Sequence, residues 1–130
     1  MRVLDTDVCV ALLRGSEPLL EQLAATDSAV ATTWMTAAEL YFGAERSAAA
    51  VKNRRQVAKL LDSMLVLTGS ERAARHFGVV KATLERQGQR LADADLIVAS
   101  LCLAHDAVLV TGNLRHFDRV PGLQIETWLW

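Results

Sequence analysis

The chain has 130 residues, of which 52% are hydrophobic and 22% are charged. This length and composition indicate a single folded domain over residues 1–130 and exclude a disordered protein. Because 14 lysines and arginines stand against 15 acidic residues, the formal net charge is -1, which excludes a strong overall attraction to nucleic acid or to an anionic membrane.

The N-terminal part of the chain predicts two strands and two helices. The apolar run Arg2–Leu4 predicts a buried strand, and an apolar helix follows over Val8–Leu13 and ends at Gly15. The segment SEPLL, which starts at Ser16, is a typical helix start. A second short strand is predicted over Ala29–Thr32.

The middle of the chain predicts two helices, a strand and a further helix. One helix opens at Thr36 and runs toward Arg46, and the next covers about residues 48–62. A strand is predicted over Leu65–Leu67, and an amphipathic helix follows over Ser70–Arg86. Strands and helices therefore alternate through this part of the chain.

The last third continues this alternation. The segment LADADLIVASLCLAHD predicts a helix from about Asp93, AVLVTGN predicts a buried strand, and LQIETW predicts a polar-alternating edge strand. Strands that alternate with helices predict an α/β fold, with a central twisted parallel sheet of four to five short strands and helices on both faces.

Polar and acidic residues stand at the ends of these elements. Residues just past the carboxyl ends of parallel strands converge on one edge of the sheet, so we expect Asp5, Thr6 and Asn113 to meet there. Carboxylates gathered in one cavity repel each other unless a divalent cation neutralises them, and oxygen ligands suit Mg²⁺ or Mn²⁺. Metal-assisted hydrolysis of a phosphodiester is the natural chemistry of such a site. The candidate acids are Asp5, Asp7, Glu39, Asp93 and Asp95.

Some of these acids have a purely structural alternative. Glu39 stands three residues after Thr36, which is the spacing of a capping box, where the glutamate holds a backbone amide. Asp93 or Asp95 could cap a helix or occupy its first turn. The two differ by about 200° around a helix, so both face one cavity only if the helix begins between them.

The first two aspartates are expected to have different roles. Asp5 follows a buried strand and is the stronger candidate for a ligand. Asp7 is the better N-cap, with its side chain accepting hydrogen bonds from the amides of Cys9 or Val10.

The remaining residue types indicate the compartment and limit the ligand set. Cys9 and Cys102 fit neither a disulfide framework nor a metal spacing, which favours two core thiols in a reducing, cytoplasmic location. No secretory signal precedes Asp5, and the apolar stretch Leu96–Ala104 is too short for the ~20 residues of a membrane span. We expect no metal binding by the histidines, because His76, His105 and His116 share no ligand spacing.

Five segments in order give the chain a family resemblance. They are LDTD near the start, TAAELYFGAER in the middle, then ADADLIVAS, LVTGNLRHFDRVPGL and finally IETW. With these segments the chain resembles the PIN-domain ribonucleases, and most closely the VapC-type toxins of bacterial toxin–antitoxin pairs. The resemblance covers nearly the whole chain and implies a PIN-like fold.

The resemblance also implies an activity and a set of site residues. It implies an endoribonuclease that depends on Mg²⁺ or Mn²⁺, with Asp5, Glu39 and Asp95 as metal ligands and Asp93 as an auxiliary acid. Asn113 stands where many relatives have a fourth acid, which puts a second metal in doubt. The residues that orient the water or the phosphate would be Thr6, together with Thr111 or Asn113.

Partners follow from the same resemblance. They are an RNA substrate, a small VapB-like antitoxin and a second copy of the chain in a homodimer, with no membrane. Trp34, Leu40 and Phe42 are expected to lie in an exposed partner surface. A basic segment after Glu39 could hold the RNA backbone, although a solvated helix face is the commoner use of such residues. It contains Arg46, Lys52, Arg54, Arg55 and Lys59.

Two other functions compete with a nuclease. The segment DTDVC also resembles the nucleophile motif of haloacid-dehalogenase-type phosphatases, with Asp5 as nucleophile and Asp7 as acid and base. A catalytically inactive PIN module that binds RNA or a protein partner is the second alternative, and Asn113 in place of an acid is its best support.

Overall fold

The computed structural model describes residues 1–128, in which short strands alternate with helices. The elements, in chain order, are β1 Arg2–Leu4, α1 Thr6–Leu13, α2 Glu17–Ala25, β2 Val30–Thr33, α3 Trp34–Glu45, α4 Ala50–Asp62, β3 Leu65–Leu67, α5 Glu71–Arg86, α6 Asp93–Ala104, β4 Val108–Val110, α7 Leu114–Phe117 and β5 Gln124–Glu126. The predicted α/β class is confirmed.

The sheet has the order β3-β2-β1-β4-β5, and every neighbouring pair is parallel. The first strand of the chain is therefore the central one. Its Val3 lies opposite Ala31 on one side and Leu109 on the other. The segment LQIETW supplies an edge strand, as its alternating pattern predicts. Because all strands run the same way, their carboxyl ends lie along one edge.

Helices cover both faces of the sheet because successive strand residues point to opposite sides. Val3 and Leu109 belong to a buried cluster with residues of α5 and α6, such as Leu84. Leu4 and Val110, the next residue of each strand, belong to a second cluster with residues of α1, α3 and α4. The two-sided burial agrees with the nearly continuous apolar sequence of the central strands.

Two helices begin earlier than the sequence predicts. α1 begins at Thr6, directly after β1, because Asp5 is its N-cap. α3 begins at Trp34, because the hydroxyl of Thr33 accepts a hydrogen bond from the amide of Thr36 at 3.1 Å. Leu40 of α3 lies in the core, where it is only 5% exposed, so its expected place in a partner surface was wrong.

Other expectations concern cysteines and membranes. Cys9 and Cys102 are free and buried, as predicted for core thiols. Within residues 1–128, no helix is both long and apolar enough to cross a membrane.

Candidate functional site

The carboxyl edge of the central strands holds a cavity lined by acids. β1 delivers Asp5 and Thr6 to this edge, and the loop after β4 delivers Asn113. We call it the acidic cavity; it has a volume of about 300 Å³ and is lined by Asp5, Thr6, Asp7, Glu39, Asp95 and Asn113. The structure thus brings together the three residues that strand polarity places at one edge, and adds acids from the three helices α1, α3 and α6.

Asp5 is the most buried acid of the cavity, at 8% exposed. One carboxylate oxygen accepts a hydrogen bond from the Thr6 amide at 2.8 Å, and the other accepts one from the Thr111 hydroxyl at 2.8 Å. Burial raises the pKa of Asp5 to about 6; the bonds from Thr111 and Thr6 lower it, and the charges of Asp7 and Asp95 raise it further. The two hydrogen bonds therefore offset part of the cost of ionising Asp5 in surroundings of low polarity.

Asp7 has a different role from the one predicted. Because α1 already begins at Thr6, Asp7 lies in its first turn and is not the N-cap. One of its oxygens accepts from the amide of Val8 at 2.8 Å, and the other accepts from the amide of Gly112 at 2.9 Å. The predicted bonds to Cys9 or Val10 were wrong, and Asp7 joins α1 to the loop after β4.

Glu39 faces the acidic cavity from the second turn of α3. The capping-box alternative was wrong, because Thr33 caps this helix and Thr36 lies inside it. Burial, and then the charge of Asp95, raise the pKa of Glu39, while a hydrogen bond with Thr6 lowers it. Glu39 is thus free of the helix end and electrostatically coupled to an acid of another helix.

The structure separates the two aspartates of α6. The helix begins at Asp93, so both residues lie in its first turn and point in different directions. Asp95 lines the acidic cavity, whereas Asp93 is exposed and its carboxylate binds the ammonium of Lys81 at 3.0 Å. Of this pair, only Asp95 is brought to the site.

Thr111 stands behind the cavity and not in its lining. It is fully buried, its hydroxyl donates to Asp5, and the same oxygen accepts from the amide of Asn113 at 2.9 Å. These bonds occupy the hydroxyl, so the expectation that Thr111 orients water or phosphate gives way to a role in holding Asp5. Thr6 does line the cavity, with its hydroxyl 3.1 Å from that of Thr36.

His116 lies beside the acidic cavity and was missed by the sequence analysis. Its Nδ1 is 2.8 Å from the side-chain nitrogen of Asn113 and 3.7 Å from a carboxylate oxygen of Asp95. The only sequence signal is the three-residue spacing from Asn113, which has structural meaning because Asn113 is the N-cap of α7 and His116 lies in its single turn.

The donor set of the acidic cavity fits a hydrated Mg²⁺ or Mn²⁺. Within residues 1–128, no three acidic, histidine or cysteine side chains are close enough together to ligate one ion directly. Mg²⁺ keeps several waters and is usually bound by only one or two carboxylates, so a cavity with four separated carboxylates suits it. The raised pKa values of Asp5 and Glu39 show acids whose ionised forms a cation would stabilise.

The predicted basic residues divide into two groups. Arg46 lines a second depression, the polar groove, which shares Glu39 with the acidic cavity. Arg54 pairs with Glu45, and the other predicted cations of α4 are exposed. The polar groove has a volume of about 450 Å³, and its polar lining residues are Arg14, Glu39, Arg46, Asn53 and Gln56.

Comparisons with known proteins agree on one family. A family profile described as PIN domain matches residues 2–123. The tRNA(fMet)-specific endonuclease VapC of Salmonella typhimurium is 33% identical over 127 residues, 97% of this chain and 96% of that protein. Ribonuclease VapC2 of Haemophilus influenzae is 30% identical over 128 residues, 98% of this chain and 97% of that protein.

Two solved structures share the fold. DNA-bound VapBC from Salmonella typhimurium superimposes with a TM-score of 0.93 at 33% identity, covering 98% of this chain and 97% of that chain. VapBC2 from Rickettsia felis, bound to a DNA fragment from its promoter, superimposes with a TM-score of 0.92 at 27% identity, covering 98% of each chain.

Proposed function

This chain belongs to the PIN-domain family, in the group of VapC ribonucleases of VapBC toxin–antitoxin pairs, and from that membership we propose that its acidic cavity binds Mg²⁺ or Mn²⁺ and cuts tRNA. Membership in this family removes the haloacid-dehalogenase-type phosphatase as an alternative. The two residues that suggested a phosphatase, Asp5 and Asp7, take part in the acidic cavity.

One observation carries the proposal. Three acids from distant parts of the chain line one cavity: Asp5 after β1, Glu39 in α3 and Asp95 in α6. Folding has brought these like charges together despite their repulsion, which favours a site built for a divalent cation. When bound, Mg²⁺ or Mn²⁺ supplies Lewis-acid stabilisation of a phosphoryl oxygen and makes water more acidic.

Side chains of the acidic cavity would bind the ion and orient the water or the phosphate in this reaction. Asp5, Glu39 and Asp95 would hold the hydrated ion, one or two of them directly and the rest through its waters. Asp5 is pre-oriented for this by the Thr6 amide and the Thr111 hydroxyl. Asn113, at the rim formed by the loop after β4, would orient the water or the phosphate. Each group is fixed by a regular element or a backbone hydrogen bond, as precise positioning requires.

The polar groove supports RNA as the substrate. It begins at Glu39 and contains Arg14 and Arg46, so a backbone phosphate next to the cleaved bond would meet cations there. The relative from Salmonella typhimurium is named a tRNA(fMet)-specific endonuclease, which makes tRNA the first substrate to test. Lys52 and Arg55, exposed on α4, would add weaker contacts farther from the site.

Protein partners complete the proposal. The solved VapBC complexes support a small VapB-like antitoxin for this chain, and we add a homodimer. An apolar groove of about 630 Å³, with Trp34 61% exposed at its rim, supports a protein partner. The other residues that line it include Met35, Ala73, Phe77, Ile97 and Leu101. Cytoplasmic location stays a prediction that rests on two buried, free cysteines.

The test is cleavage of purified tRNA and total RNA by antitoxin-free protein with Mg²⁺ or Mn²⁺. Discrete fragments are expected, and they should disappear with EDTA and with Asp5→Asn. The matched control is Asp27→Asn, an exposed aspartate in the loop after α2, which should cut like the wild type. Tight RNA binding without cleavage in either metal would contradict the proposal and favour the inactive PIN module.

A further inference from the structure

The short helix α7 places His116 beside the acidic cavity. Asn113 precedes this helix, and the backbone amide of His116 donates to the carbonyl oxygen of Asn113 at 3.2 Å. The neighbouring Phe117 is fully buried in the core. Both ends of the turn are therefore fixed, and the spacing between the two polar side chains is set by the backbone.

The side chains of this turn are bonded to each other. The amide nitrogen of Asn113 lies 2.8 Å from Nδ1 of His116. An amide nitrogen can only donate, so this contact is a hydrogen bond when Nδ1 accepts, which requires the imidazole proton to be on Nε2. Nδ1 is 3.7 Å from the nearest oxygen of Asp95, which is too far for a hydrogen bond. Asn113 is therefore the side chain that this nitrogen holds.

This bond decides which end of the Asn113 amide is available to the cavity. The backbone amide of Asn113 donates to the Thr111 hydroxyl, so the main chain is also held. With its nitrogen turned to His116, the side chain offers Oδ1, an acceptor, to other groups. An acceptor suits a water molecule or a hydrated cation, whereas an amide nitrogen would suit a phosphate oxygen.

We propose that His116 is a positioning residue, which holds the amide of Asn113 so that its Oδ1 acts as a hydrogen-bond acceptor in the acidic cavity. This inference rests on the proposed ribonuclease function. Of the two roles that the sequence leaves open for Asn113, it favours the orienting of water, because Oδ1 is the end of the amide that is not bonded to His116.

Three substitutions of His116 separate the role of Nδ1 from a general structural role. His116→Ala removes the acceptor, His116→Asn keeps an acceptor atom near the place of Nδ1, and His116→Gln moves the amide one bond farther out. We expect Ala and Gln to lower kcat about ten-fold with little change in KM, and Asn to restore kcat to within about threefold. His105→Ala, at the exposed C-terminal end of α6, is the matched histidine control.

Nitrogen NMR of the imidazole tests the hydrogen bond without any activity measurement. In long-range proton–nitrogen spectra at about pH 8, the neutral form of His116 should be the Nε2–H tautomer. The resonance is assigned by its loss in His116→Asn. The Nδ1–H tautomer would overturn the inference, because the Asn113 oxygen would then be turned toward His116 and away from other groups.

The kinetic results distinguish failure of this inference from failure of the proposed function. In an Asn113→Ala background, His116→Ala should cause no further loss, because the two residues act as one unit. Wild-type protein that cuts RNA, with His116→Ala equally active, would refute the inference alone. Wild-type protein that cuts no RNA in either metal would refute the proposed function and the positioning role together.

Discussion

Replacing Asp5 by asparagine should stabilise the fold while it abolishes cleavage. Asp5 is 8% exposed, and burial raises its pKa from an ordinary 3.8 to about 6. At 1.36 kcal/mol per pKa unit, the ionised carboxylate costs about 3 kcal/mol of folding free energy at neutral pH. Asparagine has nearly the same shape, can still bond to Thr6 and Thr111, and carries no charge. For a chain of this length we expect the Tm to rise by about 10 °C.

The size of the effect depends on pH. Below the unfolded pKa of 3.8, the folded and unfolded states are both protonated and the carboxyl group carries no penalty. Between 3.8 and about 6 the unfolded chain releases its proton first, so wild-type stability falls as the pH rises; above about 6 the full penalty is present. The advantage of Asp5→Asn should therefore be absent at the acidic end and complete at neutral pH.

The assay is urea denaturation of wild type, Asp5→Asn and the exposed control Asp27→Asn, in EDTA, across this pH range. Asp27→Asn should follow the wild type throughout. Added Mg²⁺ should stabilise the wild type more than Asp5→Asn, because an ion offsets the carboxylate charge. An Asp5→Asn protein that is no more stable than wild type at neutral pH, or whose advantage does not change with pH, would refute the reasoning.

Three more substitutions test the site. Thr111→Val removes the hydrogen bond to the buried Asp5 and should destabilise the fold by about 1–3 kcal/mol in urea, with kcat also reduced; unchanged stability would mean that the bond contributes nothing. Arg46→Ala should raise KM for RNA and lower the salt dependence of binding by about one phosphate contact. Arg55→Ala should have smaller effects on both quantities. Equal effects of the two substitutions would indicate that RNA does not bind in the polar groove. Asp93→Asn should keep kcat within about twofold of wild type, since this acid lies outside the cavity. A large loss of kcat would show that Asp93 takes part in the reaction.

Strand polarity made part of the site predictable. Asp5 and Asn113 are far apart in the sequence, yet each follows a strand of a parallel sheet, and that alone brings them to one edge. The role of Glu39 was harder to predict from the sequence, because it depends on where α3 begins. Thr33 and Thr36 are both acceptable caps by residue type, and the backbone conformation that selects Thr33 is set by the end of β2.

The remaining details depend on single turns. Asp93 and Asp95 could not be separated until the first residue of α6 was known, because each residue of shift turns a helix by about 100°. His116 was out of reach because α7 has four residues, which is too few for a periodic pattern. Its contact with Asn113 is visible only when the turn itself is known.

The pairing of β1 with β4 has a consequence for synthesis on the ribosome. The Thr111 hydroxyl that holds Asp5 comes 106 residues later in the chain, and the Gly112 amide that holds Asp7 comes 105 residues later. At ordinary translation speeds, roughly 5 to 20 seconds separate the two halves of the site. A nascent or prematurely terminated chain that lacks β4 has neither these two hydrogen bonds nor Asn113, so the proposed activity is expected only when translation is nearly finished.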